Sequence, residues 1–257
     1  MILLKRFTQE LRQRVNAPEN TLIPWNATLP FGLLIMYLIV FFASLVFIST
    51  LEEVDFDAAE PRILAYAALM SSLLMLVFTV QYTENSLARW NSLQKKKLRY
   101  REVVALTPSQ NTPLWGILLG SFSLAIALDV VGFIIGVPDT SLPIPLDGLH
   151  PDDGLPFLAA VLAIALIRPF VEGLIFYGVL YPANIKRMSH VQAILFSAML
   201  FAILHYILDT REWWGFVVPL VLGLTAGIVR AATQSSQTAI GTCMMFGIFA
   251  ALRALIV

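Results

Sequence analysis

The stretch FLAAVLAIALIRPFVEGLIFYGVLY, residues 157–181, decides the fold. It is long enough to cross a bilayer, for which about 20 apolar residues suffice. Yet Arg168, Pro169 and Glu172 lie well inside its ends. Ionisable side chains are costly in lipid and are kept there for a pair, a path or a reaction. The rest of the chain has to say which of the three applies.

Composition sets the class. Of 257 residues, 58% are hydrophobic and 13% charged, and the mean hydropathy is +0.77. Soluble domains carry roughly 25% charged residues. The deficit, with the repeated apolar runs, predicts an all-α polytopic transmembrane helix bundle. The formal net charge is zero, so there is no electrostatic footprint for a nucleic acid. The single cysteine, Cys243, excludes an intrachain disulfide and any Cys-pair metal site. The opening residues MILLKRFTQELRQR lack the succession of charged, apolar and small residues that marks a signal peptide. Targeting is therefore expected to fall to the first span. No internal repeat or long linker divides the chain, so residues 1–257 are expected to form one integral membrane domain.

About seven spans can be drawn. They run over Leu29 to Thr50, Ile63 to Val80, Pro113 to Val137, the opening stretch, Val191 to Leu208, Phe216 to Val229, and Thr238 to the C-terminus. The sixth is short, with a re-entrant piece as the alternative. It holds Gly223 and Gly227, a spacing that permits close helix contact. A basic tail, 1–28, carries Lys5, Arg6, Arg12 and Arg14. A basic loop, 81–111, carries six Lys or Arg, with Trp90 and Tyr100 placed as headgroup-level anchors. Lys186, Arg187 and Arg230 fall on the same side, whereas the opposite loops hold only Arg62 and Arg211. That asymmetry predicts a cytoplasmic N-terminus, tail and basic loop. The Pro- and Asp-rich stretch 137–156 reads as irregular, folded back against the bundle mouth. Arg253 is expected to snorkel to the surface.

Apart from Arg253, four ionisable side chains sit inside the spans: Asp129, Arg168, Glu172 and His205. Arg168 and Glu172, four apart, share a helix face and can pair. Pro169 between them has no N–H and crowds the preceding turn, which should free a carbonyl. Three readings stay open on residue types alone. The first is a buried ion pair that orients the bundle, with Asp129 and His205 as secondary partners. The second is hydrolysis, with Glu172 and His205 polarising a water. The third is proton-coupled transport, for which no repeat argues. Hydrolysis meets a difficulty of depth: Glu172 counts to mid-bilayer, His205 to a few residues from the far end of its span. Asp129 is then a rival partner for His205 or Arg168. No cofactor is implied. Glu172, His205 and Asp129 could hold a divalent metal, but no HExxH or His-cluster spacing is present. His150 and His190 read as surface or interfacial residues, and the serines of AATQSSQTAIG as helix-capping.

The segments RPFVEGLIFYGVLYP, LFSAMLFAILHY and VLGLTAGIVRAATQSSQTAIGTCMM together resemble the CPBP (Abi) family of intramembrane proteases, which includes the CAAX prenyl endopeptidases of the Rce1 type. The resemblance covers roughly residues 110–255 and implies an Rce1-like helical core. It further implies that Glu172 takes the place of the first glutamate of an EExxxR motif, and that Phe201 and His205 reproduce FxxxH. The pair would then activate water for peptide-bond hydrolysis. The pattern departs elsewhere. Gly173 replaces the second glutamate and Tyr177 the motif arginine, and Cys243, Met244, Gly247 and Ile248 stand where the family shows His and Asn. Arg168 could substitute for the missing arginine, and Tyr177 could donate one hydrogen bond. The resemblance thus leaves two functions to test, an intramembrane endopeptidase and a non-catalytic relative serving as a scaffold or assembly factor. The partners expected are membrane lipids and a membrane-embedded or membrane-proximal protein. The compartment expected is a bacterial plasma membrane or an equivalent internal membrane.

Overall fold

The computed structural model describes residues 24–25, 28–53, 60–95, 97–107, 113–137, 146, 148–209 and 213–256. Among these, seven helices are long and apolar enough to cross a membrane, and there is no strand. They are α1 (Thr28–Leu51), α2 (Pro61–Gln94), α4 (Leu114–Ile134), α5 (Leu155–Asn184), α6 (His190–Asp209), α7 (Trp214–Thr233) and α8 (Ser236–Ala254); α3 (Tyr100–Val103) is a single turn. The protein is an integral membrane bundle, as its composition predicts. Proline marks several helix starts: Pro61 lies in the first turn of α2 and Pro113 caps α4. That is the position where a missing N–H costs nothing.

The helix built on the opening stretch is central. In α5, 67% of the spanning window is buried, against 17% in α4, which lies at the periphery. Burial of Val171, Leu174, Ile175, Phe176, Val179 and Leu180 joins α5 to the main apolar cluster, which also takes in Leu33, Tyr37 and Phe41 of α1. Helix α5 is also irregular. It widens into π-helix at Ala163–Ile167 and again at Leu174–Leu180.

Four expectations change. Helix α2 continues to Gln94, so residues 81–94 are helical and not loop. Its 34 residues make about 51 Å at 1.5 Å each, well beyond the ~30 Å hydrocarbon core. Beyond it the chain turns back: Asn91 clasps the Leu98 N–H and C=O at 3.1 and 3.0 Å. Val103, Val104 and Ala105 are buried, and the Ser236 N–H donates to the Ala105 carbonyl at 2.8 Å. The basic loop therefore seals the adjoining end of the bundle. Tyr100, expected at headgroup level, packs on the core, where burial raises its pKa and its oxygen accepts a hydrogen bond from Thr83.

The second change is that the sixth span is a full 20-residue helix, with Pro219 inside it. Third, Arg230, read as a loop charge, is in its last turn and fully buried. Fourth, Arg253 does not snorkel alone but pairs with Asp129 at 2.6 Å. The close contact expected at Gly223 and Gly227 lies against α6: a Cβ at Gly223 would stand 2.9 Å from the Ala198 Cα, and one at Gly227 2.9 Å from an Ile194 methyl. Part of the Pro- and Asp-rich stretch folds back, with Leu146 and Leu149 buried against Phe157, Ala160 and Ile164. The tail residues Lys5, Arg6, Arg12 and Arg14 lie outside the described residues, as do Lys96 and Arg211.

Candidate functional site

Proline explains why α5 widens twice. In the first π segment the Arg168 N–H reaches back to Ala163 O. Ile164 O then has lost its α-helical donor, and its π-helical donor would be residue 169, a proline without an N–H. The second segment repeats this. The Tyr181 N–H bonds Phe176 O, and Pro182 leaves Tyr177 O without a partner along the helix. Between these two openings lies a short regular α-helical stretch, Arg168–Gly173, which carries the buried charges.

The charges form a closed network. Arg168 Nε donates to Glu172 Oε1 at 2.7 Å, across one turn. His205 Nε2 meets the other carboxylate oxygen, Oε2, at 3.0 Å. Arg168 Nη2 lies 3.4 Å from His205 Nδ1, and the Tyr37 hydroxyl of α1 donates to Glu172 Oε1 at 3.4 Å. A guanidinium can only donate, so Nδ1 accepts, and the network assigns the imidazole proton to Nε2. Arg168 and Glu172 are 3% and 2% exposed; the His205 side chain, at 17%, is the member that reaches the surface. Phe201 stacks on the His205 ring with centroids 4.4 Å apart, one turn along α6.

The depth difficulty disappears when height is counted from the turn that joins α5 to α6. Glu172 stands 12 residues from Asn184, and His205 15 residues from His190. Three residues are about 4.5 Å, within side-chain reach. The far ends mislead because α5 starts well beyond the level at which α6 stops.

Other candidates are placed differently. Asp129 belongs to Arg253 and not to His205 or Arg168, so the three-donor set imagined for a metal is not assembled. Among the described residues no group of three or more His, Cys, Asp or Glu could hold a metal ion. The Tyr177 hydroxyl donates to Gly223 O at 2.9 Å, which commits it to α7 and away from Glu172. His190 pairs with the Tyr181 hydroxyl at 2.6 Å.

The positions that depart from the family pattern are packed shut. At Gly173 a Cβ would stand 2.7 Å from Ile240 Cγ1 and 3.1 Å from its Cα. At Gly247 it would stand 2.1 Å from Ile164 O. Helix α8 thus closes on α5 at both places, and Met244 packs on the apolar cluster. A glutamate or an asparagine would not fit without moving a helix.

Tyr37 and Arg230 were not singled out from the sequence. Tyr37 sits in a span with no charge to draw attention to it. Arg230 lies at a span edge, where a basic residue is ordinarily solvated, so no local pattern marks it for burial.

Residues 154–249 match the family model described as type II CAAX prenyl endopeptidase Rce1-like. No curated protein and no solved structure matches the chain. The segment holding Arg168, Glu172, Phe201 and His205 is therefore similar to the Rce1-like family over those residues.

Proposed function

We propose that the protein is a glutamate-type intramembrane endopeptidase acting on a membrane-embedded or membrane-proximal protein segment. The observation that carries this reading is the 3.0 Å contact between Glu172 Oε2 and His205 Nε2. Arg168 alone would neutralise Glu172, so charge balance does not require the imidazole. A carboxylate and an imidazole held together supply what proton transfer to and from water needs.

In this reading the two side chains part to admit one water between Oε2 and Nε2. Glu172 takes a proton from it, and the water oxygen forms the new C–O bond at the scissile carbonyl. The His205 Nε2–H donates to the developing oxyanion, where fixed donors act most strongly. Collapse breaks the C–N bond, and Glu172 returns its proton to the leaving amine. Arg168 holds the carboxylate in line throughout. The test compares reconstituted wild-type, Glu172→Ala and His205→Ala protein against a solubilised membrane-protein mixture, scoring new peptide termini by mass spectrometry. Both variants are expected to lose cleavage by at least about 100-fold. Undiminished cleavage by folded Glu172→Ala protein would sink the mechanism.

A second reading has its own observation. The closure of α8 on α5 at Gly173 and Gly247 fills with packing the places where the family carries polar groups. It supports a non-catalytic relative that binds a membrane protein as a scaffold or assembly factor. That reading expects one stoichiometric partner to copurify equally with wild-type and Glu172→Ala protein, and no cleavage by either.

We infer the orientation from the charge asymmetry of the sequence: the basic tail and loop are expected on the cytoplasmic side, in a bacterial plasma membrane or an equivalent internal membrane. Cys243 is buried, so a cysteine introduced at exposed Lys97 would be the reactive thiol. A membrane-impermeant maleimide added to intact cells is expected to leave it unlabelled. Labelling without lysis reverses the orientation.

A further inference from the structure

We infer that Arg230 and Ser236 act as positioning residues: they supply Tyr177 O with the donors that Pro182 removes, and thereby fix the height and orientation of His205. The inference deepens the hydrolytic reading only in that the positioned ring is His205; the clamp itself stands on geometry.

The carbonyl comes first. Tyr177 O lies within the second π segment, and it has no donor along the helix because the Tyr181 N–H is spent on Phe176 O and Pro182 has no N–H. An unpaired carbonyl buried at this depth is costly. Arg230 Nε donates to it at 3.1 Å and Ser236 Oγ at 3.0 Å, and Arg230 Nε also lies 3.1 Å from Ser236 Oγ. The guanidinium is fully buried and lies 5.4 Å over the Tyr181 ring, so its plane is held as well as its charge. It comes from the last turn of α7, and Ser236 from the first turn of α8. Three helices therefore meet on one carbonyl.

The connection to the site runs through the side chain of the same residue. The Tyr177 hydroxyl is tied to Gly223 O, and its ring lies 6.5 Å from that of Phe201. Phe201 is fully buried and is the ring on which His205 rests at 4.4 Å. Holding Tyr177 at both ends thus holds the floor under the imidazole. Interiors are close-packed, so such a displacement is passed on and not absorbed.

The test uses the proline. If the clamp replaces a missing N–H, then Pro182→Ala, which restores that N–H in the existing register, should make Ser236 dispensable. The chain has three histidines, so the ring signals of full-length protein labelled with 15N-histidine in detergent can be assigned by deleting each in turn. Ser236→Ala is expected to narrow the separation between the protonated and unprotonated ring nitrogens of His205, as its tautomer preference relaxes. It is also expected to lower Tm by about 2–4 °C, the loss of one net hydrogen bond in a chain of this size. Pro182→Ala combined with Ser236→Ala should return the His205 signals to their wild-type positions and recover most of the Tm difference, measured against Pro182→Ala alone. Arg230→Lys, which keeps the charge but not the fork, should show a partial shift. His205 signals unmoved in both Ser236→Ala and Arg230→Lys overturn the proposal, as does failure of Pro182→Ala to restore them. Neither readout uses cleavage, so an inactive protein would leave the clamp standing, and a failed clamp would leave the peptidase reading intact.

Discussion

The two interior prolines of α5, Pro169 and Pro182, pose the same problem and receive opposite answers. At Pro182 the freed carbonyl, Tyr177 O, is met by a guanidinium and a hydroxyl. At Pro169 the freed carbonyl, Ile164 O, is met by the bare backbone of Gly247, so close that a Cβ would stand 2.1 Å away. One opening is closed by donors, the other by contact. The difference teaches where polarity was retained in this bundle. It persists at the end sealed by the 97–107 segment. On the α8 side of the site, where the family pattern is polar, close packing has replaced it. Arg168, Glu172 and His205 sit between the two solutions.

The largest expected effect breaks the contact solution. Gly247→Ala forces a Cβ into a carbonyl with no flexible side chain to yield, and should cost roughly 3 kcal/mol. The measurement is the unfolding midpoint of purified protein in detergent. A shift no greater than that of Gly120→Ala, where a Cβ meets nothing within 4 Å, would mean that α8 is free to move off α5. A smaller effect breaks the donor solution. Arg230→Met keeps the volume but removes charged hydrogen bonding to Tyr177 O, and should cost about 2 kcal/mol in the same assay. The smallest sharpens the contrast. Pro169→Ala supplies an N–H to Ile164 O while giving up the stiffness of proline in the unfolded chain, so the two terms nearly cancel and stability should change by less than about 0.5 kcal/mol. A large gain would show that Gly247 covers Ile164 O poorly and that the two openings are less different than their geometry indicates.

Much of the architecture could be read in advance, because hydropathy is a local, additive property. Each span needs only its own run of apolar residues, and seven such runs became seven helices. The errors were at boundaries, where the same property fails. Residues 81–94 are polar enough to read as loop, yet α2 continues through them, since a helix leaving the bilayer can keep its hydrogen bonds in water. A basic residue at a span edge costs least in solvent, yet Arg230 is buried, held by a carbonyl that Pro182 strips of its donor.

The site divides in the same way. The sequence by itself determined that Arg168 and Glu172, four residues apart on one helix, share a face and can pair; that they do so is seen in the 2.7 Å contact. The sequence also determined the membrane class, the two proline interruptions and the two residues, Glu172 and His205, that carry the family resemblance. The tertiary structure alone decided that these two touch, because they are 33 residues apart and their heights depend on the turn between α5 and α6. It alone sent Asp129 to Arg253 and the Tyr177 hydroxyl to Gly223. It also turned Gly173 and Gly247 from absent polar groups into points of helix contact. The physical reason is common to all of these. A residue's type sets what it costs to bury, whereas the partner that offsets the cost is chosen by how helices are rotated and staggered against one another, and no local pattern encodes that.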